Sequence, residues 1–373
     1  MKNIVVFTYG DANNPSTWSN VPYLLTSTLE KKGYHVVKVD ISTKQNILTY
    51  GYSLICKIIR PKTTYYFVRS NLNRKIVEKK IQSAVQKYDN NTDLYISISF
   101  DYSPSKFTKK KVLLFSDWPM DYALERRFNR KQDFMEKRYI AKNKEVIEQA
   151  DYRVSLMQDV ASYMNEHYQG KTNYLGNVIN NFYPIKGFEK INNRNKITFI
   201  GKKSYYPAAK ELINAFLMLD KEVINNKKLE LHIIGMTQKD FKEIHNKNIF
   251  FHGYLDKGKE KEKEKYYQII KTTLVIVNTS EKWAGISSLI ECMYYYRPII
   301  TSRYDEFIKT FGENINFGYY SNNKNKEIQK CLEKIISLPQ SKYQIIANNA
   351  HKSVTEFTYD AYIDKIINLV SKK

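Results

Sequence analysis

The chain has 373 residues, enough for two domains that each bury a core, and its 42% hydrophobic and 26% charged content is ordinary for a protein that folds in water. Its net charge of +22 is not ordinary and points to polyanionic partners: nucleotide phosphates, an anionic membrane surface or nucleic acid. Cys56, Cys292 and Cys331 lie too far apart to suggest a disulfide framework, the six His show no metal-ligand spacing, and no apolar run nears the roughly 20 residues of a membrane span. The chain opens directly on a strand pattern, so the expected place is the cytoplasm, or the inner face of a membrane as a peripheral protein.

Residues 4–7 read as a short buried strand. The polar loop 10–19 follows, then a helix over 21–32 closed by Gly33, then a strand over 35–40. This opening begins a parallel, doubly wound sheet. Further strands are expected at 65–68, 94–97 and 112–115, with a helix from about 72 to 87. The strand 112–115 runs into Ser116-Asp117-Trp118-Pro119. An Asp just past the C-terminal end of such a strand sits at the ligand-facing edge of the sheet, so Asp117 is a candidate general base for an acceptor hydroxyl, with a turn or cap role as the plain alternative. Residues 122–149 read as one long charged helix. Its Arg126, Arg127, Arg130, Lys131, Lys137 and Arg138 are either a solvated face or a surface for a polyanionic acceptor. A strand over 150–155 and a helix over 158–167 complete the first domain, 1–183. The segment 184–196, with Pro184 and Gly187, reads as a linker.

The second domain, 197–355, opens with a strand leading into Gly201-Lys202-Lys203. Strands over 229–235 and 248–254 follow, and 256–265 reads as the solvated start of a helix. The apolar run 273–277 is a buried strand. Behind it Gly285 permits close backbone approach, Ser287 is a good N-cap, and 286–296 reads as a helix. A helix N-terminus at the end of a parallel strand offers free N–H groups and a dipole to a phosphate. Glu291 lies four residues after Ser287 on the same face, placed to accept from ribose hydroxyls. Arg297-Pro298 ends that helix. Helices are expected at 326–337 and 341–353, and residues 356–373 form a last helix.

These residues resemble the nucleotide-sugar motif of GT-B glycosyltransferases, most closely family 4, in which a Gly-containing turn leads into a helix bearing Glu and then a Pro-led strand. The resemblance implies an α/β fold of two doubly wound Rossmann-like domains with a cleft between them, the final helix crossing back to the first domain. It implies that the backbone of Gly285, Ile286 and Ser287 holds the donor diphosphate and that Glu291 holds the ribose. Lys202 and Lys210 take the places of two cations that neutralise the leaving group, and Gly253 and Tyr254 those that meet the nucleotide base. The family's first Glu, eight residues before the second, is replaced by Trp283, which leaves Glu281 as the nearest acid for the donor sugar. The first loop, with Gly10 and Ser19, is similar to one that faces donor phosphates or acceptor. Asp117 also resembles the acid after an apolar strand in phage DNA glucosyltransferases.

The implied activity is hexosyltransferase-like transfer from a nucleotide sugar, UDP-linked first, to a hydroxyl of a glycan or lipid-linked saccharide, with no metal or cofactor. A phage-type DNA glucosyltransferase acting on hydroxylated bases is the alternative. A non-catalytic nucleotide-sugar-binding protein, suggested by Trp283, is the second.

Overall fold

The structure is a computed structural model that describes residues 1–185, 187, 194–281 and 286–372. The chain divides into two compact units, Met1–Asn177 with Tyr359–Lys373, and Val178–Thr358.

The first unit holds six strands: β1 (Asn3–Thr8), β2 (His35–Asp40), β3 (Leu94–Ser97), β4 (Lys111–Ser116), β5 (Tyr152–Ser155) and β6 (Thr172–Tyr174). They form one sheet in the order β2-β1-β3-β4-β5-β6, and each neighbouring pair is parallel. Parallel strands flanked by helices are buried on both faces, which is why they read as continuous apolar runs. Val6, Phe7, Leu113, Leu114 and Phe115 are fully buried. The helix Tyr359–Ser371 belongs to this unit: Tyr362 packs on Phe115, ring centroids 5.7 Å apart, and Asp364 pairs with Lys32 at 2.8 Å.

The second unit holds β7 (Lys196–Ile200), β8 (Glu230–Ile234), β9 (Ile249–Gly253), β10 (Thr273–Asn278), β11 (Ile299–Thr301) and β12 (Gly318–Tyr320). Its order is β12-β11-β10-β7-β8-β9, again parallel between neighbours. Ile197, Phe199, Leu212, Phe216, Leu231, Ile233, Val275 and Val277 lie in one buried cluster that joins this sheet to the helix Tyr206–Leu217.

Three local expectations are corrected. Residues 65–68 are not a strand; Phe67–Arg69 is a single 3-10 turn. Tyr65 and Phe67 are buried as an apolar pair would be, but Phe67 N donates to Ser53 Oγ at 3.1 Å rather than to a neighbouring strand. The long helix over 122–149 is broken. A π-turn at Ala123–Arg127 and a left-handed Asn129 interrupt it, and it restarts at Phe134–Glu148. The restart is a capping box: Asp133 Oδ1 accepts from the N–H groups of Met135 and Glu136, each at 2.9 Å, and Glu136 accepts from Asp133 N. Glu136 is held further by Arg130 at 2.6 Å and by Thr64 N at 2.7 Å. Ser287 is not an N-cap. The helix Ile286–Tyr294 begins one residue before it, so Ser287 lies inside the first turn. The sequence reading assigns nothing to residues 47–59, which form a helix, Ile47–Ile59, capped by Asn46 through a capping box with Thr49.

Candidate functional site

In the second unit the C-terminal ends of the strands converge on glycines. Gly235, just past β8, has φ +102°, and a Cβ there would lie 2.4 Å from the carbonyl oxygen of Gly201 at the end of β7. Gly235 N donates to Gly253 O at 2.7 Å, and Gly253 N donates to Met236 O at 2.9 Å. Backbones this close leave room for no side chain at 235, and a Cβ at Gly201 would meet the ring of Phe199 at 2.7 Å. Lys202 emerges from this junction exposed, its Nζ 5.5 Å above the ring of Tyr254, which follows β9 and is itself exposed. Lys202 and Tyr254, far apart in sequence, thus share one edge of the sheet. Lys203 pairs with Asp240 at 3.3 Å, and Lys210 is exposed in the second turn of the helix Tyr206–Leu217.

Across the same sheet, a cavity of about 250 Å³ opens at the ends of β10, β11 and β12, lined by Glu281, Ser302, Arg303, Tyr320 and Asn323. Hydrogen bonds tie the neighbouring strand ends together. Thr279 Oγ1 donates to Asn323 Oδ1 at 2.9 Å, and Asn278 Nδ2 donates to Ile200 O at 3.3 Å. Arg303 stacks over Tyr320 at 4.9 Å and pairs with Glu313 at 2.7 Å. Glu281 is exposed on this wall. Gly285 and Trp283 lie outside the described residues. Ile286 is buried at the start of its helix and Ser287 is exposed beside it.

Glu291 is a buried carboxylate. It is 3% exposed, and both of its carboxylate oxygens accept hydrogen bonds from within the protein. Lys257 Nζ donates to Oε1 at 2.9 Å and to Oε2 at 3.0 Å, Tyr266 donates to Oε2 at 3.0 Å, and Tyr267 donates to Oε1 at 3.0 Å. Lys257 Nζ also donates to Asn180 O at 2.5 Å. Burial, and then the Glu291 charge, push both phenols well above their ordinary range and keep them protonated as donors. Lys257 is what the sequence reading missed. It sits in a run of alternating Lys and Glu that looks uniformly solvated, and nothing in that pattern marks one lysine as buried.

The first unit carries its own candidates. Asp117 follows β4, and Ser155 Oγ donates to its backbone carbonyl at 2.8 Å. Desolvation pushes its carboxyl up to about 7, opposed by the charge of Arg127. That guanidinium lies 5.5 Å over the ring of Trp118. Tyr359 feels Asp117 in turn: its phenol is raised by burial and then by that carboxylate. In the loop after β1, Gly10 has φ +119° and donates to Asp40 Oδ1 at 3.0 Å. Trp18, Ser19 and Asn20 all have positive φ, 36°, 54° and 76°. Three consecutive non-glycine residues there store strain of the kind held at binding loops. A cavity of about 810 Å³ is lined by Asp121, Arg130, Lys131, Lys137, Tyr163 and Tyr168. Three of the basic residues singled out in the sequence therefore border a concavity. Among the described residues no group of three or more His, Cys, Asp and Glu is arranged to hold a metal ion.

Residues 185–353 match the family model described as "Glycosyl transferases group 1". An uncharacterized glycosyltransferase of Methanocaldococcus jannaschii is 24% identical over 255 residues, covering 64% of this chain and 62% of that protein, so the match spans less than two thirds of the relative's length. Among solved structures, sucrose-phosphate synthase from Thermosynechococcus elongatus superposes with a TM-score of 0.69 at 13% identity, over 99% of this chain and 98% of the other. HepE of Anabaena, in complex with UDP and glucose, superposes with a TM-score of 0.62 at 12% identity over the whole of both chains. The two six-stranded parallel units are therefore the GT-B fold.

Proposed function

We propose that this chain, whose residues 185–353 match the model of the glycosyl transferases group 1, is a glycosyltransferase using a nucleotide-sugar donor. That family match carries the reading, because it covers the unit in which Lys202, Tyr254 and the helix Ile286–Tyr294 border one sheet. The solved relative holding UDP and glucose favours a UDP-sugar. A hydroxyl of a glycan or lipid-linked saccharide is the acceptor expected.

In the reaction the bond from the sugar's anomeric carbon to the phosphate oxygen breaks and one to the acceptor oxygen forms. The nucleoside diphosphate leaves with the negative charge. Lys202 supplies a cation for that charge, and the N-terminus of the helix Ile286–Tyr294 supplies dipole and free amides. Lys210 adds a second cation. Tyr254 offers a face for the base, and Glu281 a carboxylate for the donor sugar. Asp117 accepts the acceptor hydroxyl proton, and a carboxyl titrating near 7 is matched to that role at neutral pH. Glu291 meets the ribose only where a hydroxyl displaces one of its four internal hydrogen bonds. With all of them in place it anchors the Lys257 segment that follows Tyr254.

The test is a thermal-shift screen of nucleotide sugars followed by measurement of nucleoside diphosphate release with saccharide acceptors. A nucleotide sugar should raise the melting temperature, and Lys202→Ala should weaken that donor at least tenfold. No shift and no release with any donor would overturn the proposal. Binding without release would leave a non-catalytic binder.

A further inference from the structure

The helix Ile47–Ile59 is mounted on the first unit with its sides reversed. The stripe turned inward is small and polar: Thr49, Ser53 and Cys56, spaced four and three residues apart. Ser53 Oγ donates to Thr49 O at 2.9 Å and accepts from Phe67 N at 3.1 Å. Cys56 packs in a small cluster with Tyr65, Met120, Leu124 and Tyr139. The opposite stripe is aliphatic and bare. Ile47 is 88% exposed, Leu54 59% and Ile58 71%, and beside them Leu48 is 81% and Ile55 59% exposed. Isolated apolar side chains at a surface need no explanation, but a continuous arc along a whole helix marks an interaction face.

Charge identifies the occupant. No Asp or Glu occurs between Asp40 and Glu78, while Lys44, Lys57, Arg60 and Lys62 are all exposed around the helix. A second copy would bring the same basic rim and the same excess of positive charge, and would be repelled. An anionic lipid surface complements both features, taking apolar side chains at the acyl boundary and ammonium and guanidinium groups at its phosphates. Length sets the geometry. Thirteen residues span roughly 20 Å, short of the roughly 30 Å of a hydrocarbon core. Among the described residues no helix is long and apolar enough to cross a membrane.

We propose that the helix Ile47–Ile59 is an interfacial anchor that docks the first unit on an anionic bilayer. Ile47, Leu54 and Ile58 sink into the acyl boundary, and Lys57, Arg60 and Lys62 meet the headgroup phosphates. This goes beyond the proposed transfer reaction and does not depend on it.

The experiment is cosedimentation of the whole chain with vesicles of phosphatidylcholine containing a quarter phosphatidylglycerol, and with vesicles of phosphatidylcholine alone. The chain should partition to the anionic vesicles, and added salt should weaken that partitioning. Leu54→Ser/Ile55→Ser/Ile58→Ser should cut it by roughly tenfold or more at an unchanged melting temperature, because all three side chains already face water. Lys57→Gln and Arg60→Gln should each cut it about fivefold. Failure of the wild-type chain to bind anionic vesicles, or full binding by the triple serine variant, would overturn the proposal. A dimer lost in the triple variant, with no vesicle binding by the wild type, would assign the face to a second copy instead.

Discussion

Removing either partner of the Lys257–Glu291 pair should destabilise the second unit, because each leaves the other charge buried and unmatched. Glu291 accepts four hydrogen bonds at 2.9–3.0 Å and is 3% exposed, and the side chain of Lys257 is 13% exposed. Breaking a buried ion pair from one side costs about 3–5 kcal/mol. Glu291→Gln keeps a carbonyl for one tyrosine but turns its other terminus into a donor facing donors, so the cost should fall in that range. Lys257→Met strands the carboxylate with two phenols and should cost about the same. The double variant removes both charges, so its cost should fall below the sum by about 2–3 kcal/mol. Hydrogen exchange of the amides in the helix Ile286–Tyr294 reads these local free energies. Single costs under about 1 kcal/mol that simply add would refute the reasoning. The same proteins separate two roles for Glu291. If it grips a ribose, Glu291→Gln weakens nucleotide binding and Lys257→Met does not. If it only anchors its loop, both weaken binding alike.

Asp117 is raised from 3.8 to about 7, so its ionised form opposes folding. The wild type should lose stability relative to Asp117→Asn as pH rises from about 4 to above 7, by about 2–4 kcal/mol, and a difference in unfolding free energy that does not change with pH would count against this. His252 is lowered to about 4, first by burial and then by His232, whose Nδ1 lies 2.9 Å from its Nε2. Its contribution should therefore be complete above pH 6.5 and fade as pH falls toward 4, and His252→Gln should flatten that part of the melting-temperature profile. Gly235→Ala should cost about 2 kcal/mol or more in chemical denaturation, since its Cβ would meet the Gly201 carbonyl at 2.4 Å on a backbone with φ +102°. Lys202→Arg should retain more donor affinity than Lys202→Ala in isothermal titration, because Lys202 is exposed and its charge is what the diphosphate meets.

The central strands of both parallel sheets were legible because they are buried on both sides. Leu94–Ser97 and the helix Gln158–His167 have the bounds that their hydrophobic patterns predict, and so does His35–Asp40, an edge strand that is only partly buried. Glycine at 235 shows in the sequence, but the contact that demands it joins two strand ends and appears only once the sheet is assembled. Residues 65–68 carry a strand's composition without being one, because strand formation needs a neighbour with free ladder groups and here Ser53 takes the hydrogen bond. The break before Phe134 depends on Asp133 and Glu136 capping each other, a local signal masked by the surrounding charge.

Sequence alone determined the α/β class of the fold and the excess of positive charge, because periodicity acts over a few residues and composition over the chain as a whole. Tertiary structure decided which lysine of a mixed-charge run is buried against Glu291, that an aspartate past β4 is desolvated, and that the helix Ile47–Ile59 turns its aliphatic side outward. Each of these depends on which face of a segment meets the rest of the molecule, and that is set by contacts between residues distant in the chain.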